Sequence, residues 1–455
     1  MNENTNKVSF KLALSIVLGL ILIFSTGIIG LNLPAFMPLT VSLVLLTIIL
    51  RFKKVSWSEM QDNILAGIRT GLAPLFLFLL IGMLIALWMG TGVIPSMLWL
   101  GFESANSTWF LPSTLLVTAL VGSMIGSAFT TIGTVGVALM GVGVTLGFNP
   151  ALVSGAILSG AIFGDKSSPL SDSTNLAASI AETDLFAHIK NLMWTTLPAL
   201  LGSLIIFIIL GLGHHGGSTS RLATLSQLIT PTWWSIIPLV LLVGMAILKV
   251  PAIPTLLLNI GLTGTVYLFN HSPQALSQIL MDGFKTTSTN PNLVNLLNRG
   301  GMMSMMPTVI VIMLALSLGG ILTEQRILQT VMAPLSQKIN SASGVLTGVI
   351  FTGIAANFLI GEQYLSTILP GQLWKPAFDR IKLSRLALGR ALEDSGTVMN
   401  YLVPWGVAGS FAAQTLGVPV ADFAPFVFFA ILSPVFSLLS AWTGIGIKKE
   451  NQDVK

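Results

Sequence analysis

No cysteine occurs in the 455 residues, so the chain has no disulfide framework and no thiolate metal site, and it carries no record of a redox compartment. Charge is scarce as well. Only 9% of the residues are Asp, Glu, Lys or Arg, where a soluble domain carries about 25%. HExxH, Gly-x-Ser-x-Gly and phosphate-binding-loop patterns are missing, which removes the sequence grounds for an intramembrane enzyme or an ATP-driven pump. The ten-residue alternating segments of a membrane barrel are missing too.

What the chain has is apolar length. Hydrophobic residues make up 53%, mean hydropathy is +0.85, and apolar runs of about 20 residues recur, each long enough to cross roughly 30 Å of hydrocarbon as a helix. These features define an all-α integral membrane protein, whose first partner is the lipid bilayer. The net charge of +5 comes from basic residues gathered in a few loops, which read as topology signals and not as a nucleic-acid surface. Lys7 and Lys11 precede the run from Leu12 to Leu31, which is longer than a signal-peptide core and lacks a clear cleavage pattern; it reads as a retained span.

Leu12 to Leu31 and Pro34 to Leu50 form a predicted pair of spans, and Arg51, Lys53 and Lys54 place both ends in the cytoplasm. An amphipathic segment, Trp57 to Thr70, leads into a span from Leu72 to Met89. Further spans are expected at Met193 to Leu212, Met306 to Leu322 and Phe426 to Ala441, with a helical pair around Lys249 and a long polar connection from His271 to Gly301. Lys448 and Lys449 place the tail inside. His214 and His215, adjacent in a polar loop, read as loop residues and not as metal ligands.

Two apolar stretches are interrupted. From Phe110 to Leu146, Gly122, Gly126, Gly133, Gly136, Gly141 and Gly143 surround Thr130, Thr131 and Thr134, a pattern open to close GxxxG packing or to a broken, re-entrant hairpin. Gly344 to Pro370 is broken by Asn357, Gly361, Glu362 and Gln363. Were it to cross fully, the basic loop from Lys375 to Arg390 would lie outside; treating both stretches as hairpins keeps that loop in the cytoplasm. The order of parts also recurs: Pro74 falls on Pro307 at a shift of 233, Ile132-Gly133 on Ile360-Gly361 at 228, and Asp165 on Glu393 or Asp394 at 228 or 229. The organisation expected is an N-terminal helical hairpin (1–55), a first inverted repeat (56–215), connecting helices with an external loop (216–300), a second inverted repeat (301–445) and a cytoplasmic tail (446–455). That gives about ten transmembrane helices plus two re-entrant hairpins, with broken helices meeting near the midplane.

The densest polar stretch is Gly160 to Ser179, GAIFGDKSSPLSDSTNLAAS. Each ionised group at bilayer depth costs roughly 2.5–3.5 kcal/mol, so Asp165, Lys166 and Asp172 are expected to serve a use. Asp165, Asp172 and Asn175, helped by Ser171, Ser173, Thr174 and carbonyls freed at Pro169, offer the hard oxygen ligands that Na⁺ takes. Lys166 either neutralises a carboxylate in the unloaded state or snorkels to an interface. The matching set in the second half is Glu362, Glu393, Asp394, Thr397 and Asn400. The adjacent pair Glu393-Asp394 suits uptake of a proton, because two neighbouring carboxylates out of water disfavour double ionisation; alternatively it caps a helix or meets Arg390.

GDKSSPLSDSTNLA resembles the GDK-x-SPLSD-T-TNLA signature of the NhaC family of Na⁺/H⁺ antiporters, which also includes sodium-lactate/malate exchangers. IGEQYLSTILPG and ALEDSGTVMNYLVPWG resemble its second-half motifs, and the resemblance runs from about Gly67 to Trp442. Ser173 stands where the family pattern usually has Thr. The resemblance implies exchange of Na⁺ for H⁺ across the cytoplasmic membrane, with no cofactor beyond the transported ions, and it points to Asp165, Asp172, Asn175, Glu362, Glu393 and Asp394. A Na⁺(Li⁺)/H⁺ antiporter is thus the leading reading, and an exchanger of small carboxylates such as malate and lactate the second; a homodimer is compatible with either.

Overall fold

A computed structural model of the chain describes residues 8–31, 33–104, 108–213, 231–288, 294 and 297–447; Lys7, His214, His215, Lys448 and Lys449 lie outside the described residues. Among the described residues there are helices and turns and no strand. Hydrocarbon offers the backbone no partner, so an apolar chain closes its hydrogen bonds within each helix. Six helices are long and apolar enough to span: Phe10–Ile28, Leu72–Gly90, Ala128–Thr145, Leu185–Leu212, Met302–Glu324 and Ala342–Ile360, with a bent pair, Val420–Phe426 and Phe428–Thr443, as a seventh candidate. Shorter apolar helices, among them Phe36–Phe52, Phe110–Ile125 and Ala252–Leu268, complete a multi-pass all-α membrane protein.

Two polar connections are more ordered than expected. The stretch from Lys375 to Arg390 is not a loop: helix Leu365–Ile381 ends at Lys382 in the left-handed region, and Arg385–Leu392 restarts at once with Ser384 as its cap. Between His271 and Gly301, Ser272 caps a further helix, Pro273–Asp282, by accepting from the Ala275 N–H at 3.2 Å.

Both interrupted apolar stretches fold back on themselves. Phe110–Ile125 stops at Gly126, whose φ of +71° suits glycine and whose N–H reaches the Gly122 carbonyl at 2.7 Å. Ser127 then caps Ala128–Thr131, which runs through a π-turn into Val137–Thr145. The rings of Phe110 and Phe148 stack 5.5 Å apart, so the two ends of this hairpin lie together. In the second hairpin Ala342–Ile360 stops at Gly361 (φ +73°) and Leu365–Ile381 returns; Arg380 closes the mouth through Nε to Asn340 Oδ1 at 2.8 Å and Nη2 to the Ser336 carbonyl at 3.0 Å. The tips therefore correspond as Ile125-Gly126 and Ile360-Gly361. This corrects the alignment through Ile132-Gly133: Gly133 sits inside the π-turn, where Ile81 leaves no room for a β-carbon, and Ser127, not Thr134, stands where the second half has Glu362. Close packing and turning are divided between neighbouring glycines, because a β-carbon on Gly164 would lie 2.6 Å from Gly122 on the facing helix.

Each hairpin is followed by a broken helix. Pro150–Ser167 breaks around Pro169 and resumes as Asp172–Ala181; Arg385–Leu392 passes into a π-turn (Glu393–Thr397) and a 3₁₀ turn (Val398–Leu402) before Val407–Leu416. Pro150–Ser167 starts beside the mouth of the first hairpin, and its continuation ends at Glu182, which pairs with Lys375 and Arg385 at the mouth of the second. The two mouths thus lie at opposite ends, and the second is the basic one. Phe78, Phe129 and Phe411 join Leu72–Gly90, the first hairpin and the second half, with ring centroids 4.6 Å (Phe78 to Phe411) and 5.2 Å (Phe129 to Phe411) apart.

Candidate functional site

At the first break, side chains take over backbone groups that a continuous helix would have satisfied. Ser171 caps Asp172–Ala181, Thr174 Oγ1 donates to the Lys166 carbonyl at 3.1 Å, and Asn175 Nδ2 donates to the carbonyls of Pro169 (3.0 Å) and Ser171 (2.7 Å). Thr174 and Asn175 therefore hold the break in shape. Neither lines the cavity beside it.

That cavity, of about 220 Å³, brings Asp165, Asp172 and Ser173 together with Gly126, Ser127 and Thr130 from the first hairpin tip and Gln363 and Tyr364 from the second. Asp165 is 7% exposed and faces the Ser171 side chain and the N–H of Ala128. Asp172, expected to be buried with it, is exposed, because the chain reverses its facing at Pro169 and the seven-residue spacing no longer follows one helix. The two carboxylates share one cavity at different depths. Lys249, between helices Ile236–Ile247 and Ala252–Leu268, lines the same space.

Behind Asp165 the halves are joined by charge. Lys166 pairs with Asp394 with neither side chain exposed, Thr195 Oγ1 donates to the other carboxylate oxygen of Asp394 at 2.8 Å, and the Lys166 ammonium lies 5.6 Å from the centre of the Phe429 ring. Lys166 is not a snorkelling residue. Its partner comes from the second half, not from Asp165 or Asp172. Glu393, on the same π-turn, is fully buried; both its carboxylate oxygens and the Thr397 hydroxyl lack a hydrogen-bond partner among the described residues. Arg390 does not meet this pair, because it binds the Gly446 carbonyl (3.1 Å) and Ser440 Oγ (2.8 Å).

Glu362 Oε2 accepts from the Leu365 N–H at 2.7 Å and so caps the returning arm of the second hairpin, while Oε1 has no hydrogen-bond partner among the described residues. Asn400 bonds one backbone group and one side chain: its Oδ1 accepts from the Ala408 N–H at 2.8 Å, and its Nδ2 donates at 2.9 Å to Asn357 Oδ1, while Asn357 Nδ2 binds the carbonyls of Ser395 and Gly396. Thr195, Ser127, Gln363, Tyr364 and Lys249 are site residues that the motif reading passed over. Thr195 could have been found as a polar residue recurring at helical spacing in an apolar span.

Residues 160–445 match the profile of the Na⁺/H⁺ antiporter family, a span that holds both breaks and the whole second hairpin. The chain belongs to this family. Its relatives include the Na⁺/H⁺ antiporter NhaC of Alkalihalophilus pseudofirmus, 37% identical over 455 residues and covering 98% of both chains. The arginine/ornithine antiporter ArcD of Halobacterium salinarum is 34% identical over 96% of this chain and 92% of its own. The malate-2H⁺/Na⁺-lactate antiporter of Bacillus subtilis is 30% identical over 95% and 94%. Within a Na⁺/H⁺ antiporter family chain, the Lys166–Asp394 pair and the Asp165–Asp172 cavity form the region where buried charge and access from solvent meet.

Proposed function

We propose that the protein exchanges Na⁺, and Li⁺ by the same chemistry, for H⁺ across the cytoplasmic membrane. The observation that carries the reading is a half-buried set of hard oxygen donors, Asp165 and Asp172 with Ser127, Thr130, Ser173 and Gln363, placed directly in front of a fully buried ion pair. A cation entering the cavity is held by Asp165 and Asp172 while hydroxyl and amide oxygens replace part of its water. Protons are taken up by the buried carboxylates Asp165, Glu393 and Asp394, and a proton there and the cation in the cavity exclude each other, so one must leave before the other is held. The hairpin tips, which meet at the cavity from opposite ends, then change which side it faces. This mechanism treats 56–215 and 301–445 as inverted repeats and places the basic end, with both termini, in the cytoplasm.

Purified protein in liposomes with an internal pH dye tests the reading. Na⁺ and Li⁺ are expected to move protons, and K⁺, malate and lactate to move none. Lys249 on the cavity wall favours the second reading, since its ammonium would suit an organic carboxylate; proton movement on malate or lactate and not on Na⁺ would decide for it. Because the chain has no cysteine, a Lys382→Cys variant reports orientation cleanly, and labelling of intact cells from outside would reverse the topology.

A further inference from the structure

Helix Leu185–Leu212 starts at the basic end, where Asp184 caps it by accepting from the Ala187 N–H at 2.9 Å, and it is otherwise an apolar span. Its buried face carries polar residues beside Leu192 over the first three turns. His188, Asn191 and Thr195 recur at i, i+3 and i+7 and so form one stripe, with exposures of 0%, 9% and 0%. Among the described residues, neither ring nitrogen of His188 nor Asn191 Oδ1 has a hydrogen-bond partner, although native proteins satisfy nearly all such groups. The inner end of the stripe is bonded, because Thr195 Oγ1 donates to Asp394 at 2.8 Å. At 1.5 Å per residue, the distance along the axis from His188 to Thr195 is about 10 Å.

The ring of His188 lies so close to Gly389 that a β-carbon there would stand 2.8 Å from it. Lys166 is the charge that acts on it from Pro150–Ser167. Arg390, on the helix of Gly389, is turned away to Gly446 and Ser440, and Glu182, at the end of helix Asp172–Ala181, is held by Lys375 and Arg385. None of these contacts gives the imidazole a hydrogen bond.

We propose that His188, Asn191 and Thr195 form a proton route from the basic end to the Lys166–Asp394 pair, separate from the cavity through which Na⁺ reaches Asp165 and Asp172. A proton binds one nitrogen of the neutral imidazole and the proton on the other nitrogen leaves inward, carried by water along Asn191. The Thr195 hydroxyl receives it and releases its own to the Asp394 carboxylate. Asp394 becomes neutral and Lys166 keeps its positive charge, which is now free to act on its chain neighbour Asp165 and to expel the cation there. The route rests on the Na⁺/H⁺ reading and adds the path and the coupling step.

The test uses full-length wild type, His188→Gln and Asn191→Leu in liposomes, with two readouts: Na⁺-driven proton movement, and exchange of radioactive Na⁺ for unlabelled Na⁺, which needs no proton. Both variants are expected to slow proton movement about tenfold or more, while Na⁺ for Na⁺ exchange continues in each. Proton movement at the wild-type rate in both variants overturns the route. Equal loss of both exchanges in both variants also overturns it, by making the stripe structural. Wild type that moves no proton against Na⁺ overturns the antiport reading and the route with it.

Discussion

Lys166 and Asp394 close an ion pair between residues 228 positions apart, each at a break in its own half of the molecule, with neither side chain exposed. Removing the ammonium leaves a buried carboxylate without its counter-charge, so Lys166→Met is expected to cost about 3–5 kcal/mol. Lys166→Met combined with Asp394→Leu should recover most of that loss. Thermal unfolding in detergent of the wild type, both single variants and the double variant measures the coupling, and losses that simply add would show that the charges are independent.

Asp165 and Asp172 are expected to respond unequally. Asp165→Asn removes the buried charge and should abolish exchange. Asp172→Asn removes an exposed one, where a unit charge at contact distance is worth about 1–4 kcal/mol, so Na⁺ affinity should weaken fivefold or more while transport persists. Isotope uptake against Na⁺ concentration separates the two. Equal affinity in Asp172→Asn and wild type would remove Asp172 from the cation's path.

Competition fixes a sign for pH. When a proton must leave before the cation is held, apparent Na⁺ affinity weakens as pH falls, and maximal rate at saturating Na⁺ changes much less. Exchange measured over a series of Na⁺ concentrations from pH 6 to 9 checks this; an affinity that stays flat would mean that proton uptake and cation binding are not coupled.

The hairpin tips offer a comparison within one molecule. Gly126 and Gly361 have nearly the same φ, +71° and +73°, so alanine at either meets a left-handed strain of about 1–2 kcal/mol. Their surroundings differ. An added β-carbon would stand 2.6 Å from the Leu170 Cβ and 2.8 Å from its carbonyl carbon at Gly126, but no nearer than 3.2 Å to any neighbour at Gly361. Gly126→Ala should therefore reduce folded yield far more than Gly361→Ala, as gel-filtration profiles of the two would show.

Glu182 carries a pH test outside the membrane. Lys375, by a direct hydrogen bond, and then Arg385 hold its carboxyl below the usual range of about 4.3. A depressed carboxyl contributes stability that is present above its unfolded value and lost as pH falls through the folded one. Glu182→Gln should thus lower the melting temperature at pH 7, and the difference from wild type should shrink in acid. A difference that grows in acid would refute the sign.

The fold was readable where apolar length or a helix breaker decides the structure: the Leu72–Gly90 and Met302–Glu324 spans and the break at Pro169. Gly126 and Gly133 look alike as letters. Only the backbone angle shows that the first turns the chain and the second packs against Ile81, and the repeat alignment slipped for that reason. At the site, Asp165, Lys166 and Asp394 stood out as charge at depth. Oxygen content at Thr174, Asn175 and Asn400 is visible in sequence, whereas the backbone groups left unpaired at a break, to which all three bond, are not. His188 and Thr195 were passed over because they belong to no motif, although their helical spacing was on view.

The pairing of Lys166 with Asp394 also sets an order of events on the ribosome. Synthesis at about 5–20 residues per second puts roughly 10–50 s between the emergence of the lysine and that of its partner, 228 residues later. Throughout that interval the nascent first half holds an ammonium with no acid from downstream to meet it, and the insertion machinery has to shelter it. A chain that ends before Asp394 is therefore expected to be less stable in the membrane than the full-length protein, because its buried ammonium lacks its counter-charge.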